Sequence, residues 1–152
     1  MNKKQFSEAA VVLDGIKALP FEGASEIQSL FAQTHIQLGV EKFKAKDWTG
    51  AIAELERSEE YPESLGSGKP FDADVRLQDY LIGLAAEKLG RKDKAAAAFQ
   101  AVVDFTVKYP NHRGPGAYAG GLALRRAGQT AKAAEIMKTA SLPSAEILNV
   151  LR

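Results

Sequence analysis

Cysteine is absent from the chain. Its absence excludes a disulfide framework, a thiolate zinc site and a cysteine nucleophile, and it leaves the redox compartment unread. Histidine is scarce: His35 and His112 stand 77 positions apart, and neither has a second ligand at helical spacing, so no metal is expected. No apolar run approaches the roughly 18 to 20 residues needed to cross a bilayer. Met1 to Glu8 carries two lysines, but the apolar run behind it, Ala9 to Leu13, ends at Asp14; a secretory signal needs a longer core and a cleavage site. A chain complete as it stands is therefore expected in the cytoplasm, whereas a fragment of a longer protein could have lost its targeting segment. Charge of one sign is not in excess either: 20 basic and 19 acidic side chains leave a formal charge of +1. They are interleaved, which gives neither nucleic acid nor a membrane surface a reason to bind.

What the 152 residues do contain, 45% of them apolar, is a recurring phrase. A glycine in one helix is followed by a break, an alanine early in the next helix, a large apolar residue and a small one. The copies are Gly39, Ala51, Leu55, Ser58; Gly83, Ala95, Phe99, Val102; and Gly121, Ala133, Met137, Ala140, each at offsets of 12, 16 and 19 from the glycine. Small residues let two antiparallel helices approach, and the large one fills the gap a turn further on. This spacing resembles the tetratricopeptide consensus, with Leu38-Gly39, Gly90, Gly128, Ala51, Ala95, Ala133, Phe99 and Pro62 at its positions. The departures are an aromatic slot filled by Lys42, Ala86 or Leu124, and alanine-to-alanine periods of 42, 44 and 38 instead of about 34. Phe6, Ala9, Leu13 and Pro20 repeat the spacing of Trp48, Ala51, Leu55 and Pro62, so the chain opens inside the second helix of a repeat.

The expected fold is all-α, a tetratricopeptide-like right-handed superhelix of antiparallel helix pairs with a C-terminal capping helix. It forms a single domain over 1–152: a partial repeat at 1–20, repeats at about 25–62, 73–108 and 115–140, and a capping helix at 143–152. Helices are predicted near 4–17, 25–45, 48–60, 73–89, 92–108, 115–127, 130–140 and 144–151. Ser25 with Gln28 has the form of a capping box, and Asp47, Asp72 and Thr130 can each accept from a first-turn amide. Gly90, Pro110, Gly128 and Tyr61-Pro62 are stop signals.

Two connectors are more specific: Leu19-Pro20-Phe21-Glu22-Gly23-Ala24, and Tyr61-Pro62-Glu63-Ser64-Leu65-Gly66-Ser67-Gly68-Lys69-Pro70-Phe71-Asp72 running into Arg76, Asp79 and Tyr80. Over roughly residues 5 to 105 the chain resembles large bacterial proteins in which a β-rich, mutarotase-like domain precedes tetratricopeptide repeats. The resemblance implies a helical C-terminal part, with any carbohydrate chemistry in the β-rich part, and none of that family's catalytic residues has a counterpart here.

Other chemistry finds little support. Gly66-Ser67-Gly68-Lys69 lacks the earlier glycine of a phosphate loop, has Pro70 where a hydroxyl is required and follows a helix, so it reads as a structured spacer. Glu59, Glu60, Asp72 and Asp74 lie at helix ends, where acids at an N-terminus are electrostatically favoured. Trp48 reads as a core wedge, and Arg125-Arg126, with Arg113, as a solvated basic cluster. No catalytic residue and no cofactor is expected.

The remaining candidate is the concave face, lined in this architecture by first helices. The residues falling on it are Gln33, Gln37, Phe43 and Lys44; Leu77, Tyr80, Leu84 and Lys88; and Tyr118, Leu122, Arg125 and Arg126. Aromatics among long polar side chains suit a polypeptide. The lysine–asparagine carboxylate clamp of chaperone-binding members is missing, with Ile36 and Val40 in its place. The expected function is a non-catalytic scaffold that holds a protein segment or its parent chain's domain. The alternatives are a homo-oligomerisation module, giving a homodimer, and a small enzyme using the 61–72 loop.

Overall fold

A computed structural model describes residues 3–17 and 24–151. The connector at Leu19 to Gly23, with Pro20, and the terminal Arg152 lie outside the described residues. Among the described residues every regular element is helical: α1 (Lys3–Gly15), α2 (Ala24–Lys44), α3 (Trp48–Ser58), a 3-10 turn (Glu63–Leu65), α4 (Arg76–Lys88), α5 (Lys92–Lys108), α6 (Pro115–Arg126), α7 (Thr130–Thr139) and α8 (Ala145–Leu151). The chain divides into two compact units, Met1–Ala73 and Asp74–Arg152.

Three hairpins, α2–α3, α4–α5 and α6–α7, share one turn. Lys46, Gly90 and Gly128 adopt positive φ of 62°, 70° and 77°. The next amide in each case reaches back to the carbonyl five residues earlier: Asp47 to Lys42 at 2.9 Å, Arg91 to Ala86 at 2.9 Å and Gln129 to Leu124 at 2.8 Å. This is the helix-closing loop that a left-handed residue makes possible. Asp47, Arg91 and Gln129 are also the N-caps of α3, α5 and α7, so a single residue ends one helix and begins the next. Thr130, expected as a cap, is for that reason already inside α7.

In the first unit, α2 and α3 run antiparallel. The Phe43 and Trp48 rings meet edge-on at 4.8 Å near the turn, and Gln28 Nε2 donates to the Glu60 carbonyl at 2.8 Å at the far end. Between them a Cβ on Gly39 would lie 2.8 Å from Leu55 Cγ. The Gln28 amide group is therefore spent on the chain just beyond α3 and does not complete a capping box, and Ser25 lies within α2. Of the expected caps Asp47 is present: its side chain accepts from the Gly50 amide at 2.9 Å, and that bond, with Lys42 beside it, holds the Asp47 carboxyl below the usual carboxylate range. Trp48, read as a core wedge, is half-buried at the start of α3. Leu13 of α1, Phe31 of α2 and Leu65 of the 3-10 turn form a shared core, flanked by Ile16 and Ile27. Across it Arg57 donates to Asp14 at 2.7 Å.

The second unit repeats the pairing. A Cβ on Gly83 would lie 2.6 Å from the Phe99 ring, and one on Gly121 would lie 2.5 Å from Met137. Gly39, Gly83, Gly121 and their partners Ala51, Ala95 and Ala133 are all buried. The third copy is shorter than its offsets imply, because α7 ends at Thr139 and Ala140 is already extended. α4 begins at Arg76 instead of 73, with Val75 as N-cap and no side-chain cap, so Asp72 does not cap it.

Candidate protein-binding surface

Each first helix buries one stripe in its hairpin and leaves another uncovered. On α2, Gln33 is exposed and Gln37 partly so; their separation of one turn puts them on one stripe. Lys44 is exposed at the end of the helix, whereas Ile36 is partly buried and Val40 buried. Phe43 differs from its expected role: it is buried against Trp48, because an aromatic beside the turn closes the hairpin it belongs to.

Tyr80 on α4 differs in the same way. It is 4% exposed and meets the Phe99 ring at 5.2 Å; burial pushes its hydroxyl up from the usual phenol range, against a smaller opposing effect of Arg126. The aromatic expected to anchor a partner thus helps to pack α4 on α5. Lys88 is exposed in the last turn of α4. On α6, Tyr118 and Leu122 are partly exposed and Arg125 and Arg126 exposed, a single stripe at helical spacing. Arg126 is not merely solvated: it pairs with Glu87 of α4 and lies over the Phe99 ring at 4.2 Å. That pair brings the C-terminal ends of α4 and α6 together, where helix dipoles favour the cations Lys88, Arg125 and Arg126. The surface of the second unit is therefore a basic end with a tyrosine one to two turns away.

The 61–72 loop is tied down. Leu65 is fully buried, Gly66 closes the 3-10 turn at φ 71°, and Lys69 rests over the Tyr61 ring at 5.9 Å. The ammonium that a phosphate reading would need is stacked on an aromatic. His35 is buried, with Nδ1 2.8 Å from Glu54 Oε2, and the His112 ring packs against Phe105 and Tyr109. Among the described residues no three His, Asp or Glu side chains gather as a metal site, and no helix is long and apolar enough to cross a membrane.

One cluster went unread in the sequence. Arg76 is 1% exposed. It donates through Nε and Nη2 to Asp74 at 2.8 and 2.7 Å, through Nη1 to Thr106 at 3.3 Å and through Nη2 to the His112 carbonyl at 3.1 Å. Asp74, expected to serve the helix end alone, is the counter-ion of this guanidinium, and the Phe105 ring lies 5.1 Å from it. α6 fits beside the cluster only because Gly116 and Gly120 lack a side chain: a Cβ at Gly116 would lie 2.5 Å from Asp74, and one at Gly120 would strike the Thr106 hydroxyl. Three glycines within one helix, Gly116, Gly120 and Gly121, were the available signal.

No curated protein and no solved structure gives a significant match to this chain. A family model described as tetratricopeptide repeat matches residues 79–112, which is the α4–α5 hairpin with the turn after it.

Proposed function

We propose that the protein is a non-catalytic scaffold that holds a polypeptide segment, or a domain of its own parent chain, on the exposed stripes of its first helices. Tetratricopeptide repeats as a class mediate contacts between proteins, and one hairpin matches that family. The observation carrying the reading is the stripe of α6, where Tyr118, Leu122 and Arg125 stand exposed to different degrees, with Lys88 exposed in the last turn of α4, whose Glu87 pairs with Arg126. Such a surface offers aromatic area and cations to an acidic or carboxylate-bearing segment. In the first unit, taken by itself, Gln33, Gln37 and Lys44 give α2 a polar surface of its own. Where the parent chain carries a β-rich, mutarotase-like domain, that domain is the nearest partner.

Panning immobilised protein against a random peptide library tests this. Peptides so selected should lose about ten-fold or more in affinity for Tyr118→Ala combined with Arg125→Glu and Lys88→Glu; unchanged affinity would remove the face from consideration. A second reading, self-association, is favoured by Val11 and Val12 of α1, which are 74% and 62% exposed. A monomer mass by light scattering that does not change with concentration disposes of it.

A further inference from the structure

A cavity of about 440 Å³ opens in the second unit, lined by residues of α5, α6 and α7 and by Pro110, and none of the stripe residues Tyr118, Leu122, Arg125 and Arg126 lines it. Leu124 of α6 lines it and is 1% exposed; Val107, Pro110 and Ile136 complete its apolar lining. Val107 remains half exposed, which in a finished core would waste its apolar area. Thr106 also lines the space, but its hydroxyl already donates to the Val102 carbonyl at 2.7 Å and accepts from Arg76. Two charges stand at the cavity, Lys132 and Glu135. Glu135 pairs with Lys138 at 2.6 Å, and among the described residues no acidic side chain forms an ion pair with Lys132. The cavity is therefore apolar within and carries one unanswered ammonium.

We propose that this cavity binds a small carboxylate-headed amphiphile, its apolar chain against Leu124, Val107 and Ile136 and its carboxylate on Lys132. Its volume falls within the roughly 300–1,000 Å³ of small-molecule sites. It is well beyond the ~150 Å³ that suffices for one benzene ring, so a flexible chain fills it better than one side chain of a docked protein. The polar groups are as sparse as such a site requires, one to orient and the rest apolar.

Titration of the whole chain with sodium decanoate, followed by methyl and amide NMR shifts and calorimetry, tests this, with 1-decanol as the uncharged control. Saturable shifts centred on Val107, Leu124 and Ile136 are expected. Lys132→Gln should weaken decanoate by about three- to five-fold and leave decanol unchanged, as expected for one exposed ion pair. Ala131→Trp, on an exposed position that lines the space, should abolish both ligands while helical circular dichroism is retained. Val107→Asp should repel decanoate more than decanol and serves if the tryptophan disturbs folding. Shifts that do not saturate, decanoate binding that survives both cavity variants, or binding of a leucine-terminated peptide without any of decanoate would overturn the proposal.

Discussion

A guanidinium that is 1% exposed must have its charge and its donors answered inside the protein, and Arg76 has Asp74, Thr106 and the His112 carbonyl for that purpose. Asp74→Asn leaves the cation unbalanced and should cost about 3 kcal/mol in urea unfolding. Adding Arg76→Met to it should cost less than the sum of the two single changes, because the pair acts as a unit. Lys46 shows the opposite economy. It holds φ 62° where the equivalent residues are Gly90 and Gly128, so Lys46→Gly should raise stability by up to about 1 kcal/mol; a lower urea midpoint would contradict this. Asp47 gives a pH signature. Its folded carboxyl is held below the ordinary value of 3.8, so its contribution is present above that value and is lost as pH falls through the lower folded pKa. Acid unfolding of Asp47→Asn, which keeps an accepting oxygen, should show a smaller loss across that window than the unaltered chain.

At the scale of the element, each hairpin is set by a glycine facing a large side chain. A Cβ at Gly83 would already lie within 2.6 Å of Phe99, so Gly83→Leu should cost about 1–3 kcal/mol or more through overpacking. Gly39→Leu and Ala95→Phe should behave alike, since Leu55 and the α4–α5 interface leave no slack. A retained melting temperature in all three would mean that these contacts do not hold the hairpins. The offsets of 12 and 16 were legible because close approach demands a residue type at a fixed position. Cap chemistry was less so. Thr130 is a good cap by type, but the shared turn assigns that place to the residue that follows the left-handed one, and Asp72 lies too far ahead of α4, whose N-cap is Val75.

At the scale of the whole molecule, the exposed stripes are separable from what holds the helices together. Lys88 and Arg125 stand outside the core, so Lys88→Gln with Arg125→Gln should cost no more than about 1–2 kcal/mol, the loss of two helix-dipole interactions, while selected peptides are weakened. Arg126 behaves differently, because it packs over Phe99 and pairs with Glu87. Arg126→Ala should both lower stability and alter binding, which makes it a poor probe of function by itself.

Periodicity and small-residue spacing by themselves determined the helices, their pairing into hairpins and the alanine–glycine contacts between them, because these follow from local geometry repeated along the chain. The tertiary structure alone decided that Phe43 and Tyr80 turn inward and that Arg76 is buried with Asp74. It also decided that the Thr106 hydroxyl is spent while Lys132 stands at an apolar cavity. An aromatic or a charge has the same local pattern whether it faces water or a neighbour. What settles the matter is which helix arrives beside it, and that depends on residues tens of positions away.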